Sequence, residues 1–248
     1  MILQTYRYSE TSKIVRLATR DLGVQSAIAK GVLRPRSPFG AALETLSEGV
    51  AQLYHRDTRE LQTLAAFDVV ELRRGLAIDL GRFAGAAALG EVMLKMAPAA
   101  PLATAYDTFT RALDRLAGAA PGCADATAVR WLWLLVGVLG FAPQLEACAR
   151  DGGPISTDNG VGFSIAEGGV LCPACSRGQP VPDTRLPAGS YAALLALNDP
   201  DGELPALDAP HAAAHRRLVA RFIRHHQGEF RPGALNALDF WERHAWAS

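Results

Sequence analysis

The hydrophobic period changes once along these 248 residues, near residue 80, and that switch limits the fold more than any other feature. Before it, apolar residues fall in short runs of β type. KIVRLAT (13–19) and VQSAIAKG (24–31) are rich in Val, Ile and Thr, and Leu22-Gly23 marks a tight turn between them. LETLSEGVAQLYH (43–55) and LQTLAAFDVV (61–70) follow, separated by the polar turn RDTRE (56–60). After the switch the period is helical. Leu80, Phe83, Ala87, Val92 and Met96 form a stripe ended by Pro98, and Leu102, Tyr106, Phe109, Leu113 and Leu116 form a second that stops near Gly118. A third segment, Asp125 to Gly140, is apolar almost all round and predicts the central helix of a bundle. Residues 143–188 interrupt the pattern with many Gly and Pro and three of the four cysteines. Helices resume with SYAALLAL (190–197), stopped by Asn198-Asp199-Pro200, and with Ala209 to Gln227. No internal repeat is visible.

Four or five strands in about 70 residues predict a small antiparallel barrel, and the five-stranded OB-fold is the common cationic example. The fold class expected is therefore α+β and multidomain. An N-terminal OB-fold β-barrel (1–79) is followed by an α-helical domain (80–248) with an embedded zinc-ribbon-like excursion (143–188). Charge singles out the barrel. The whole chain is neutral, yet residues 1–40 carry seven basic and two acidic side chains, a net of +5. A local excess of this kind attracts polyanions whatever the pI. Lys13, Arg16, Arg20, Lys30, Arg34 and Arg36 are the candidate phosphate contacts, along the hairpin and the Pro-punctuated loop GVLRPRSPFG (31–40). The plain alternative is a solvated sheet face. Tyr8 and Phe39 are candidate stacking platforms, though each fits a core better.

Cys172-Pro173-Ala174-Cys175 is a knuckle whose two thiolates can face one tetrahedral metal. Cys148 lies upstream at a fitting distance, and Asp151 occupies the position that would complete its own C-x-x-C. Cys148, Asp151, Cys172 and Cys175 are thus candidate ligands of a structural zinc. The alternative is a vestigial ribbon with buried apolar cysteines, and Cys123 is a poor fourth ligand. The knuckle lacks the upstream H-x-E of zinc deaminases and the βαβ context of dithiol oxidoreductases. His211 and His215 are spaced i, i+4, but HAAAH lacks the Glu of H-E-x-x-H, so a solvated helix surface is expected there. No P-loop, G-x-G-x-x-G or G-x-S-x-G occurs, so no nucleotide cofactor and no enzymatic centre are expected. WLWLLVGVLGFA (131–142) is about half a membrane span, no apolar leader is visible, and the cysteines do not form a secreted framework. A cytoplasmic location without membrane contact is the expectation.

Several segments resemble, in order, the RecO family of recombination mediators. Tyr8-Ser9-Glu10-Thr11-Ser12, the Thr19 to Gly23 turn, Lys30-Gly31 and Arg34 to Ser37 are similar to its N-terminal OB domain. VRWLWLLVGVLGFAPQLEAC (129–148), GGVLCPAC (168–175) and RFIRHHQGEFRP (221–232) resemble its central helix and exit, second knuckle and last helix. The resemblance implies a non-enzymatic protein that binds single- and double-stranded DNA, anneals complementary strands and, with RecR, helps load RecA onto strands coated by single-strand-binding protein. It also implies that the helical domain takes the acidic, apolar C-terminal tail of single-strand-binding protein. Arg130, at the head of WLWLLV, is the candidate for the tail carboxylates, with Arg111 and Arg115 as neighbours. Two departures stand out: Asp151 replaces the usual second cysteine, and Arg231-Pro232 stands where Lys-Ser is more usual. The runner-up is a helical interaction or regulatory module whose basic barrel binds a protein. A metal hydrolase lacks its base–metal motif.

Overall fold

The computed structural model describes the chain except residues 38, 40, 41, 57, 231–233 and 245–248, with the backbone alone at 229 and 230. The departure at Arg231-Pro232 therefore lies outside the described residues. Five strands open the chain: β1 (Ile2–Arg7), β2 (Lys13–Thr19), β3 (Gly23–Ala29), β4 (Glu48–Tyr54) and β5 (Leu61–Glu71). They pair in the order β1-β2-β3-β5-β4, with β3 and β5 parallel and the other pairs antiparallel. This is the strand order of an OB sheet, but the sheet is not closed. Among the described residues, Ile2 of β1 bonds to the residues just before β4, Ile2 N–H to Ser47 O (2.9 Å) and Leu46 N–H to Ile2 O (2.8 Å). The chain reaches β4 through Leu46 at φ 69°, a turn that brings only the first residues of β1 against it. In place of the expected barrel there is thus an open sheet in OB strand order.

Both faces of β2 are buried, for different reasons. Val15 and Leu17 point into the sheet's own core with Ile2, Ala27, Ala29, Leu64 and Phe67. Phe39 plugs that core from the 31–40 loop at 4 % exposure, so it belongs to the core and is no stacking platform. Ala18 on the opposite face joins Leu3 and Val24 in a second cluster that continues into the helices. Alternation of side chains along a strand makes this double use possible. Gly23, at φ 69°, turns the hairpin hard against the end of the first helix. A Cβ there would lie 2.2 Å from Ala100 O.

The helices are α1 (Leu80–Met96), α2 (Ala103–Ala117), α3 (Ala124–Val136), the short α4 (Pro173–Arg177), α5 (Ala188–Leu197), α6 (Ala209–Phe230) and α7 (Asn236–Arg243). Asp79 caps α1 by accepting the Arg82 N–H at 2.8 Å, and the helix ends before Pro98. The stripe expected on α1 is displaced. Leu80 and Phe83 are more than half exposed, while Ala84, Gly85, Ala88, Leu89 and Val92 are buried. Small residues win this face because α3 approaches too closely for large ones: a Cβ on Gly85 would sit 2.9 Å from that of Ala128.

As expected, α3 is central. Trp133 is fully buried and meets Phe222 of α6 edge-on at 5.0 Å, with the Phe163 ring 6.3 Å away. Ala124–Phe141, which includes the π turn after α3, is long and apolar enough to cross a membrane by composition alone. Here Trp131, Leu132, Trp133, Leu135 and Val136 are covered by neighbouring elements. Between α3 and α5 lies a small antiparallel sheet, β6 (Val161–Ser164), β7 (Gly169–Leu171) and β8 (Thr184–Leu186), ordered β7-β6-β8. Phe163 anchors it in the helical core.

Candidate nucleic-acid interface and metal centre

Strand geometry divides the six predicted phosphate contacts. Lys13 is opposite Arg7 on β1 and Ala29 on β3, so it stands at the same end of the sheet as Lys30. The loop that follows folds back to this end, with Leu33 N–H donating to Thr11 O at 3.1 Å. Lys30, Arg34 and Arg36 are exposed there, and so are Arg7 and Tyr8, the latter at 59 %. Arg7, Lys13, Lys30, Arg34 and Arg36 thus form one basic end with an exposed ring beside it.

Arg16 and Arg20 do not join it. Arg16 has the parity of Ala18, so its side chain leaves the face that meets the helices, where it lines a 750 Å³ cleft with Gln25, Gln62 and Ala97. Arg20 lies seven residues from Lys13, about 23 Å along an extended chain. Its guanidinium grips Asp107 of α2 in a two-bond pair of 2.9 and 3.0 Å. The shared hydrogen bonds, and after them the partner's opposite charge, raise the Arg20 pKa and lower that of Asp107, so this cation is engaged in an internal pair. Arg7 was passed over in the sequence because nothing local distinguishes it. Its place opposite Lys13 in the β1–β2 register is the signal that would have found it.

The cysteine cluster assembles from two knuckles. In the first, Cys148 N–H donates to Gly153 O (2.8 Å) and Gly152 N–H returns to Cys148 O (2.8 Å), which closes a turn around Asp151. In the second, Cys172 precedes α4 and its Sγ accepts the Cys175 N–H at 3.4 Å. The Cys148, Cys172 and Cys175 sulfurs and an Asp151 oxygen all lie within 4.8 Å of one another. Two thiolates on one tetrahedral zinc sit about 3.8 Å apart, so the donor set fits such an ion. Cys148 and Cys172 are buried and Asp151 is exposed. Asp151 Oδ2 is 3.1 Å from Cys175 Sγ and 3.5 Å from Cys172 Sγ. Hydrogen bonds from Cys148 and then Gly153 hold the Asp151 carboxyl well below the usual carboxylate range, whereas its own bond pushes the Cys175 thiol up. Arg150 braces both knuckles from outside, pairing with Glu167 and donating to Cys175 O (3.0 Å) and Pro180 O (2.9 Å). Cys123 does not join the cluster.

Arg111 and Arg115 lie one turn apart on the exposed face of α2. Arg111 is 5.5 Å from the Trp131 ring centroid and pairs with Asp201 at 2.7 Å. Arg130 contacts the same 201–203 segment but is buried. It is 6 % exposed and donates to Gly202 O (2.8 Å), Ala196 O (3.0 Å) and Glu203 O (2.6 Å). These carbonyls take three of its five N–H groups, and Nε forms no hydrogen bond among the described residues. Burial lowers its pKa. The histidine pair also departs from a solvated surface: His211 is exposed beside Asp208, but His215 is only 2 % exposed.

An open five-stranded sheet in OB order, welded to a helical domain that carries a two-knuckle ribbon, defines an OB-type two-part protein. Residues 1–73 match the family described as Recombination protein O N terminal, and residues 78–235 match Recombination protein O C terminal. The chain is 33 % identical over 239 residues to the DNA repair protein RecO of Rubrobacter xylanophilus, covering 95 % of this chain and 92 % of that one. It is 34 % identical over 238 residues to the DNA repair protein RecO of Anaeromyxobacter dehalogenans, covering 92 % and 90 %. The chain belongs to the RecO family of DNA repair proteins.

Proposed function

We propose that this protein is a non-enzymatic recombination mediator that binds single- and double-stranded DNA, anneals complementary strands and, with RecR, promotes RecA loading on strands covered by single-strand-binding protein, in the cytoplasm at the nucleoid. The observation that carries the reading is the convergence of Arg7, Lys13, Lys30, Arg34 and Arg36 at one end of the OB sheet, beside exposed Tyr8. Phosphates bound there release counterions, and an exposed ring stacks a base without regard to sequence. The triple change Lys30→Ala, Arg34→Ala, Arg36→Ala is expected to lower duplex affinity and to reduce the log–log salt slope by about three. Fluorescence anisotropy at several salt concentrations reads both. Unchanged affinity and slope would remove this end of the sheet from the interface. Arg16→Ala and Arg20→Ala, away from that end, are expected to change the slope far less.

The same reading assigns zinc to Cys148, Asp151, Cys172 and Cys175. All four positions of the tetrahedron are filled by protein, so the ion is structural, pinning the β6–β8 ribbon to the bundle. For the acidic tail of single-strand-binding protein, the exposed pair Arg111 and Arg115 offers the accessible charge. Arg130 beside them holds the 196–203 loop in place. Tail and DNA contacts together would raise the effective concentration of the basic sheet on covered strands.

A further inference from the structure

We infer that the helical domain carries a second, separate phosphate-binding site, in the 210 Å³ cleft between β8, the start of α5 and the middle of α6. Three guanidinium groups line it: Arg185 from β8, and Arg217 and Arg221 from α6. Among the described residues no carboxylate lines the cleft itself; Asp183 pairs with Arg221 at 3.1 Å and also accepts the Ile165 N–H at 2.7 Å, while Asp239 and Glu242 lie on the far side of Arg217. Arg185 and Arg217 are exposed and form no ion pair among the described residues. The cleft therefore keeps uncompensated positive charge inside a chain of zero net charge.

The remaining polar groups are donors too. Pro187 and Ser190 bring the start of α5 to the cleft, and no side chain caps that helix, so the positive end of its dipole lies at the cleft's edge. Ser190, in the same turn, adds a hydroxyl. Beneath them lies His215, 2 % exposed, with neither ring nitrogen hydrogen-bonded. An unsatisfied buried polar group costs stability unless something else recovers the loss. Burial, and secondarily the nearby His211, pushes its pKa down to about 4, so the ring is neutral near pH 7 and still offers one N–H. Guanidinium groups, the Ser190 hydroxyl and the His215 ring line the cleft from three elements. That donor-rich, acceptor-poor set suits a tetrahedral oxyanion, and the arginine forks match phosphate geometry. A phosphodiester of a strand crossing the surface and a free phosphate present the same group. The exposed mouth between Arg185 and Arg217 admits either.

The inference does not depend on the basic sheet end, because its first probe is inorganic phosphate with full-length protein. Phosphate at constant ionic strength is expected to raise the melting temperature and to shift the His215 imidazole resonances. The double variant Arg185→Ala, Arg217→Ala should lose both responses. Both residues are exposed and unpaired, so the variant should fold, and Lys30→Ala should keep the responses. In a second arm, anisotropy with a single-stranded oligonucleotide separates the sources. A fall in affinity, with a salt slope reduced by about one to two, places a strand phosphate in the cleft. Unchanged oligonucleotide binding with lost phosphate binding assigns the cleft to free phosphate. No response to phosphate in the wild type, or an equal response to acetate, overturns the inference.

Discussion

Replacing Arg73 with methionine is expected to cost about 3–5 kcal/mol of stability, roughly a 10 °C fall in Tm for a chain of this size. Arg73 follows β5, and its side chain is 4 % exposed. Its Nη2 lies 2.5 Å from Glu48 on β4, and its Nε lies 2.5 Å from Asp114 on α2. Glu48 also accepts the Tyr106 hydroxyl at 3.1 Å, and burial followed by the Glu48 charge pushes that phenol up to about 12. Removing the guanidinium leaves the Glu48 carboxylate, 21 % exposed, with only a neutral partner. On the Glu48 side that is the expensive way to break a pair, because a part-buried charge is stranded, whereas Asp114, 57 % exposed, stays hydrated. The backbone is specialised as well. Arg73 sits at φ 26°, with its N–H and that of Leu72 both donated to the Glu71 carboxylate. Arg73→Lys keeps the charge but cannot reach both acids with a planar fork, so it should fall between wild type and Arg73→Met. Urea denaturation of the three proteins checks this order. A loss below about 1 kcal/mol for the methionine variant would place these acids in effectively aqueous surroundings.

Cys172→Ser is expected to abolish metal loading. Wild-type protein purified without chelator should carry close to one zinc per chain, and the variant close to none. A ligand present at a thousandfold its Kd stabilises by about 4 kcal/mol, and chelator should remove that increment from the wild type alone. Proteolysis should then open the segment between Cys148 and Cys175, because the ion would be what ties the two knuckles together. Asp151→Cys should bind zinc more tightly and resist chelator longer, since thiolate is the softer donor. Zinc-free wild-type protein whose Tm ignores chelator would mean that the ribbon folds on its apolar contacts alone, through Leu171 and the buried sulfurs.

What could be read ahead in the residues was local. The β2–β3 hairpin announced itself through β-branched runs around Gly23. The second and third helices followed from their apolar spacing and from the nearly uniform apolarity of 125–140. Cys172 and Cys175 were legible because both ends of a knuckle lie within one turn. Where local pattern does not fix a residue's surroundings, a distant segment decides. α7 was missed because its first amides are capped from outside, with the Glu91 carboxylate of α1 accepting Ala237 N–H (2.9 Å) and Leu238 N–H (3.0 Å). The stripe on α1 was misplaced because close approach of α3 favours Ala and Gly over the larger Leu80 and Phe83. Arg130 is shaped by carbonyls some 70 residues away, and His215 by the ribbon and α5 laid over it. Charge counting grouped Arg16 and Arg20 with Lys13, but strand parity and a carboxylate on α2 separated them.

The shared cluster of Leu3, Ala18 and Val24 with the helical core has a consequence for how force travels through the molecule. A flexible tether would let a strand tugging on the sheet swing it freely. Here sheet and helices meet through apolar contact, through the Arg20–Asp107 clasp and through Arg73, so they turn together as one lever. A pull on the basic end is therefore carried first into α2, which holds Asp107 and Asp114. For the same reason a fragment cut near residue 79 should be a poor substitute for the whole. It would bare an apolar flank, and its solubility, not its grip, would be the first property lost.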